Sequence, residues 1–249
     1  MELNYEKTYH EVERDHWWFK TRRNILLKMI NGLDKEARIL DIGSSSGLML
    51  QELKDLGFNP HNLYGVDISE KAIANCKSNG FDNAYVMDAH NITLSEGSFD
   101  LVIASDCLEH LERDEEALAN WHTLLKPNGQ IIIFVPAYQF LWSRHDDVNF
   151  HFRRYTNGEL RMKMENNNFK IQKSGYWNFL LFIPIAGVRL LGNLFGGKKQ
   201  NGSEEMDGDL AMPGKLSNTV LMSVVNLENT MIPSLRFPFG VSTFCIATK

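Results

Sequence analysis

The chain predicts an α/β fold built on a parallel sheet, and three observations predict it. Short runs rich in Ile and Val alternate with amphipathic segments through residues 37–136, the pattern of βαβ units joined by right-handed crossovers. Three successive runs end in an acid: Asp41, Asp67 and Asp88. The first run passes through the small residues Gly43-Ser44-Ser45-Ser46-Gly47 directly into a helix beginning at Leu48.

Taken in order, residues 1–36 read as an N-terminal helical lid, with Trp18, Ile25 and Met29 spaced along one apolar face. The core, residues 37–136, places strands at 38–42, 63–68, 84–87, 99–104 and 130–135. Helices lie between them at 48–56, 70–78 and 115–125, and Pro127-Asn128-Gly129 supplies a stop and turn before the fifth strand. Residues 137–249 carry substrate-side segments: a helix at 157–165, a strand near 169–174, and an insertion spanning about 176–237. Within it, the apolar run 176–195 reads as a buried or interfacial helix pair, 196–208 as a flexible linker, and 215–231 as an amphipathic segment over the substrate side. A strand at 241–247 closes a single domain.

Composition narrows the function. Of 249 residues 43% are hydrophobic and 23% charged, which excludes a disordered or collagen-like chain. A formal charge of −5 removes the broad basic field that nucleic-acid binding needs. Cys76, Cys107 and Cys245, odd in number and far apart, form no disulfide framework and point to a reducing, cytoplasmic compartment. Residues 1–13 are too polar and acidic for a secretory signal. The run 176–195, broken by Asn178, Pro184, Arg189 and Asn193, falls short of the roughly 20 apolar residues of a bilayer span. Peripheral membrane contact is the remaining membrane expectation, with Arg189, Lys198 and Lys199 as its few basic residues.

The strand-end acids carry the chemistry. Ligands of open parallel sheets bind at the carboxyl ends of the strands, where small residues let backbone approach and a helix N-terminus offers unpaired N–H groups. At that position Asp41 would repel a pyrophosphate but suits an ammonium or sulfonium. Asp67 is placed to accept ribose hydroxyls and Asp88 an adenine amino group. A nicotinamide dehydrogenase on the same fold would need G-x-G-x-x-G, which this turn lacks.

These residues resemble the class I S-adenosylmethionine-dependent methyltransferases, through ILDIGSSSG, LYGVDIS, VMDAHNI, FDLVIASDCLEHL and LLKPNGQIIIFVP. The resemblance implies a Rossmann-like, seven-stranded, mostly parallel sheet with helices on both faces, an antiparallel last strand and a helical insertion before it. It implies S-adenosylmethionine as cofactor. Asp41, Gly43, Ser45 and Gly47 would hold its methionine part, Asp67 with Ile68 the ribose, Asp88 with Ala89 the adenine, and Ser105 would line the pocket near the amino-acid part. Arg22 or Arg23 of the lid would reach the cofactor's carboxylate. The chain departs from the family at Ser45, where glycine is usual. If φ is positive there, serine costs on the order of 1 kcal/mol, which weakens cofactor affinity.

The methyl acceptor is expected to be a hydroxyl of a small-molecule, sugar or lipid-linked substrate. An amino group is the alternative, and a non-catalytic cofactor-binding protein is the reading that Ser45 motivates. Base candidates are His110, His145 and His151, since an unperturbed imidazole titrates near neutrality. D-x-x-E-H resembles the E-x-x-E-H metal motif of some O-methyltransferases, so Asp106, Glu109, His110 and the downstream His151 are candidate ligands of a divalent cation; a metal-free base is preferred. Arg153-Arg154 could hold an anionic substrate group or be neutralised by Asp146 or Asp147. Trp17, Trp18 and Phe19 read as core anchors of the first helix, with a lid over the cofactor as the alternative.

Overall fold

The strand-end acids sit together because β1 (Ile39–Ile42) is flanked on both sides by parallel partners, β2 (Leu63–Asp67) and β4 (Phe99–Ser105). The computed structural model describes residues 12–195 and 212–249, so the linker expected at 196–208 lies outside the described residues, as do residues 1–11 of the lid. With β3 (Ala84–Val86), β5 (Leu125–Pro136), β6 (Lys170–Trp177) and β7 (Ser242–Thr248), the strands form one seven-stranded sheet in the order β3-β2-β1-β4-β5-β7-β6. Only β7 runs antiparallel to its neighbours, pairing with β5 and β6 across the long insertion.

Alternate residues of each strand feed two cores, as the period of a strand requires. On one face Leu40, Ile42, Val102, Ile131 and Ile133 pack with Trp121 of α4 (Asp114–Leu124) and Leu160 of α6 (Asn157–Asn166). On the other, Ile39, Leu101, Ile103 and Phe134 pack with Ile25 and Leu26 of α1 (Trp17–Met29), Leu50 of α2 (Leu48–Asp55) and Val225 of α8 (Lys215–Met231). Among the described residues lie also the α-helices α3 (Glu70–Ser78), the short α5 (Arg144–Val148) and α7 (Phe182–Phe195).

Three expectations change. Pro127-Asn128-Gly129 does not precede the fifth strand but bulges within it: Phe99 pairs with Leu125 while Leu101 pairs with Gln130, and Asn128 takes φ 63°. The apolar run is the end of β6 followed by the single helix α7, because Tyr176 and Trp177 pair with β7. Finally, α8 braces α1 rather than covering the substrate side. A ladder of asparagines fixes it there: Asn218 Oδ1 accepts from the Trp17 amide at 2.9 Å, and Asn229 Nδ2 donates to the Thr21 carbonyl at 2.9 Å. Asn24 and Asn226 pair at 3.0 Å between the same helices.

Candidate active site

A cavity of about 590 Å³ opens at the carboxyl ends of β1 to β5. Gly43, Ser45, Asp67, Ile68, Asp88, Ala89 and Ser105 line it on one side, and His110, His145 and His151 on the other. A side pocket of about 70 Å³ shares Gly43, Ser45 and Ser105 with it and adds Arg22 and Asp41. Gly47 lines neither. It caps α2 at φ 81°, where an added Cβ would come within 2.9 Å of Cys76 Sγ.

The turn after β1 is locked from below. Its Gly43 and Ser44 amides donate to the Val66 carbonyl at 2.9 and 3.1 Å, and the Ser45 amide donates to Asp67 Oδ2 at 3.0 Å. Ser45 itself takes φ 47°, so the strain expected from losing glycine is present. Asp67 also accepts from the Ser69 amide at 2.9 Å, which fixes its carboxylate at the cavity wall. Asp41 is 5% exposed and has no side-chain hydrogen bond among the described residues. Burial, and then the Asp67 charge, push its carboxyl up to about 8. Asp88 is exposed, and the His90 amide and imidazole on its Oδ1, at 2.9 and 2.8 Å, hold it below the usual carboxylate range.

Arg22 enters the side pocket between aromatic faces, its guanidinium 4.3 Å from the Trp177 ring centre and 4.5 Å from that of Phe134. It pairs with Asp106 at 3.1 Å and donates to Ser242 Oγ at 2.7 Å. Arg23 turns the other way, onto Glu52 at 2.7 Å and the Glu13 carbonyl at 2.8 Å. Both arginines considered for the cofactor's carboxylate line the side pocket, but Arg23 is engaged by Glu52 and the lid backbone. Trp17, Trp18 and Phe19 are half-buried: Trp18 packs edge-on against Trp177, with ring centres 5.1 Å apart, and all three line the cavity.

On the opposite wall the three histidines converge. His151 lies 4.5 Å from His110 and 5.9 Å from His145 between ring centres, both edge-on. Asp146, fully buried, bonds His151 Nδ1 at 2.8 Å and receives a two-pronged Arg154 pair, both bonds 2.8 Å. Burial opposes its charge, yet His151 and Arg154 hold its carboxyl well below the usual range. Burial lowers His151, outweighing the Asp146 bond, and burial with the nearby His151 pushes His110 down to about 3. Both imidazoles are therefore neutral at pH 7. Arg154 and Arg153 are spent on structure, on Asp146 and on Asp114 at 3.0 Å, so neither is available for an anionic substrate.

Glu109, His110 and His151 bring one ligand atom each within 4.8 Å of one another. Both Glu109 carboxylate oxygens are buried without a hydrogen-bond partner among the described residues. Burial, and then the Asp106 charge, raise its carboxyl well above the ordinary value. Asp106, the fourth candidate, stands outside this group: it takes φ 54° and is drawn to Arg22. Sequence reasoning assigned no site role to Glu13 or His16, and considered Arg189 only for membrane contact. Glu13 reaches the Ser45-Ser46 turn, while His16 and Arg189 line the cavity. Nothing local in the sequence marks them, because each acts across a fold-level contact.

An acid row at the carboxyl edge of a doubly wound sheet defines the nucleoside-binding α/β class. Residues 40–133 match the family model described as a methyltransferase domain. The chain is 26% identical over 139 residues to a ubiquinone biosynthesis O-methyltransferase of Pseudomonas aeruginosa, covering 49% of this chain and 59% of that one. To the enzyme of the same name from Rickettsia conorii it is 33% identical over 107 residues, covering 43% and 37%. It thus spans about half the length of the named relatives it matches. A SAM-dependent methyltransferase from Archaeoglobus fulgidus shares the fold, with TM-score 0.59, 21% identity and coverage of 92% and 94%. Residues 40–133 thus resemble a methyltransferase domain in sequence, on a fold shared with an S-adenosylmethionine-dependent methyltransferase.

Proposed function

We propose that this protein transfers a methyl group from S-adenosylmethionine to a hydroxyl of a small-molecule or lipid-linked acceptor. The observation that carries the reading is that one cavity joins the acid row to the neutral imidazoles of His110 and His151. The donor set fits the cofactor: Asp41 is a buried carboxyl with no hydrogen-bond partner among the described residues, suited to a cationic group, and Arg22 beside it suits a carboxylate. Asp67 would take the ribose hydroxyls, with Ile68 at its side, and Asp88 and Ala89 the adenine. When bound, the cofactor supplies a methyl already activated on a sulfonium.

The protein's part is to hold the acceptor in line and remove its proton. His151 is the base of choice. Its Nδ1–H donates to Asp146, which leaves Nε2 as the proton acceptor and fixes the ring. His110 has no useful basicity at about 3, and its ring instead walls the cavity next to His151. The relatives named as O-methyltransferases support an oxygen rather than nitrogen acceptor.

A second reading rests on Glu109, His110 and His151. Two neutral imidazoles and the Glu109 carboxyl, which has no hydrogen-bond partner among the described residues, suit a divalent cation, which would lower the pKa of an acceptor hydroxyl. No helix of the described residues is long and apolar enough to cross a membrane. Ile183, Val188 and Leu191 of α7 are exposed beside the cavity-lining Ile185, which supports peripheral contact with a membrane carrying a lipid-linked acceptor. Flotation with liposomes at low salt tests that part, and a protein that stays wholly unbound contradicts it.

The activity is tested by incubating the protein and S-adenosylmethionine with paired hydroxyl and amine substrates, with and without Mg²⁺ or a chelator. Release of S-adenosylhomocysteine from hydroxyl acceptors is expected. Release only with amines overturns the acceptor assignment, and release that collapses with chelator moves the chemistry to the second reading.

A further inference from the structure

We infer that Glu13 is a cofactor-binding residue, a second carboxylate held over the amino-acid end of the cofactor by the hydroxyls of Ser45 and Ser46. The inference rests on the cofactor reading above and adds a residue that comes from outside the nucleotide-binding core.

Glu13 lies four residues before α1 and is 5% exposed, so its carboxylate has been taken out of water. Ser45 Oγ donates to Glu13 Oε2 at 3.0 Å, and Ser46 Oγ donates to Glu13 Oε1. Its backbone is pinned as well, since Arg23 Nη1 donates to the Glu13 carbonyl at 2.8 Å. Glu13 therefore lines the same small pocket as Asp41, Arg22 and Ser105.

The charges in that pocket match a zwitterion. Asp41 offers a buried carboxyl with no hydrogen-bond partner among the described residues, and Arg22 a guanidinium clamped between aromatic rings. Asp106 already faces Arg22 at 3.1 Å. An incoming ammonium would meet the Glu13 carboxylate from the lid and the buried Asp41 carboxyl of β1, which gives up its proton as the cation arrives, and its own carboxylate would meet Arg22. The serines then have a purpose. Ser45 accepts a left-handed backbone, φ 47°, that glycine would adopt at less cost, but glycine has no side chain with which to hold Glu13 there. The departure from the family's glycine turn and the acid of the lid form one device.

The test uses the full chain and two ligands that differ only at this end: S-adenosylhomocysteine, and 5′-methylthioadenosine, which lacks the ammonium and carboxylate. Titration calorimetry on wild type, Glu13→Gln and Ser45→Gly/Ser46→Gly is expected to show a tenfold or greater loss of S-adenosylhomocysteine affinity in Glu13→Gln. The paired glycine variant should lose several-fold, and 5′-methylthioadenosine affinity should stay within twofold throughout. Glu13→Gln keeps the shape, and the serine facing its amide nitrogen can turn its hydroxyl to accept instead of donate, so the charge is removed without unpacking the lid. Equal loss for both ligands, or no loss for either, overturns the inference while leaving the cofactor reading intact. A wild-type protein that binds neither ligand overturns the cofactor reading, and this inference with it.

Discussion

The two walls of the cavity were built in different ways. The strand-end acids are local: Asp41, Asp67 and Asp88 each sit within two residues of the end of a parallel strand, and the sheet by itself brings these three together. The acceptor wall is assembled from afar, from His110 after β4, His145 and His151 around α5, and Arg189 on α7. Chemistry tied to strand ends follows from the fold alone, whereas chemistry tied to long connections depends on buried ion pairs that hold those connections in place.

If that contrast is right, the largest effect should come from removing such an ion pair. Arg154→Ala leaves Asp146 charged, fully buried and without its two 2.8 Å bonds, and should cost about 3–5 kcal/mol of stability. Denaturant unfolding checks it. A loss below about 1 kcal/mol would mean that the acceptor wall does not need this clasp.

The next effect is on chemistry. His151→Ala should lower kcat about 100-fold or more while leaving S-adenosylhomocysteine affinity unchanged, as removal of a general base does. Burial has already lowered the His151 pKa below its ordinary 6.5. Wild-type kcat should therefore rise with pH below that value and stay flat through neutrality. A limb centred above 7 would assign the base elsewhere.

A smaller effect separates the cofactor wall from the rest. The Asp41 carboxyl titrates at about 8 in the fold against 3.8 when unperturbed. The native state thus holds a proton that the unfolded chain releases, and stability falls as pH rises from about 4 to 8. Asp41→Asn removes that dependence. It should raise Tm at pH 8 by a few degrees, about 2–4 °C for each kcal/mol regained, gain less at pH 5, and lose cofactor binding. Thermal melts at the two pH values decide it, and equal shifts at both would remove Asp41 as the source.

Legibility in the sequence follows the same division. Glu70–Ser78 and Lys215–Met231 form the helices their patterns predicted, and the acid row was readable because the period of βαβ units places strand ends on one edge. The position of α8 was not readable, since an asparagine ladder to α1 matches no periodic signal. Pro127-Asn128-Gly129 looks like a terminator and becomes a bulge, because backbone pairing with β4 resumes beyond it. Arg153 and Arg154 look like an anion site, and only the tertiary contacts show that Asp114 and Asp146 already neutralise them.

The strand-end aspartates are most directly tested at Asp67, whose carboxylate forms the wall between the glycine turn and the cavity. Calorimetric titration of S-adenosylhomocysteine into wild type should give saturable one-to-one binding. Asp67→Ala should weaken it about 10- to 150-fold, the loss of charge-assisted hydrogen bonds worth about 1.5–3 kcal/mol. Equal affinity in the two proteins, or no heat with either, would contradict the account.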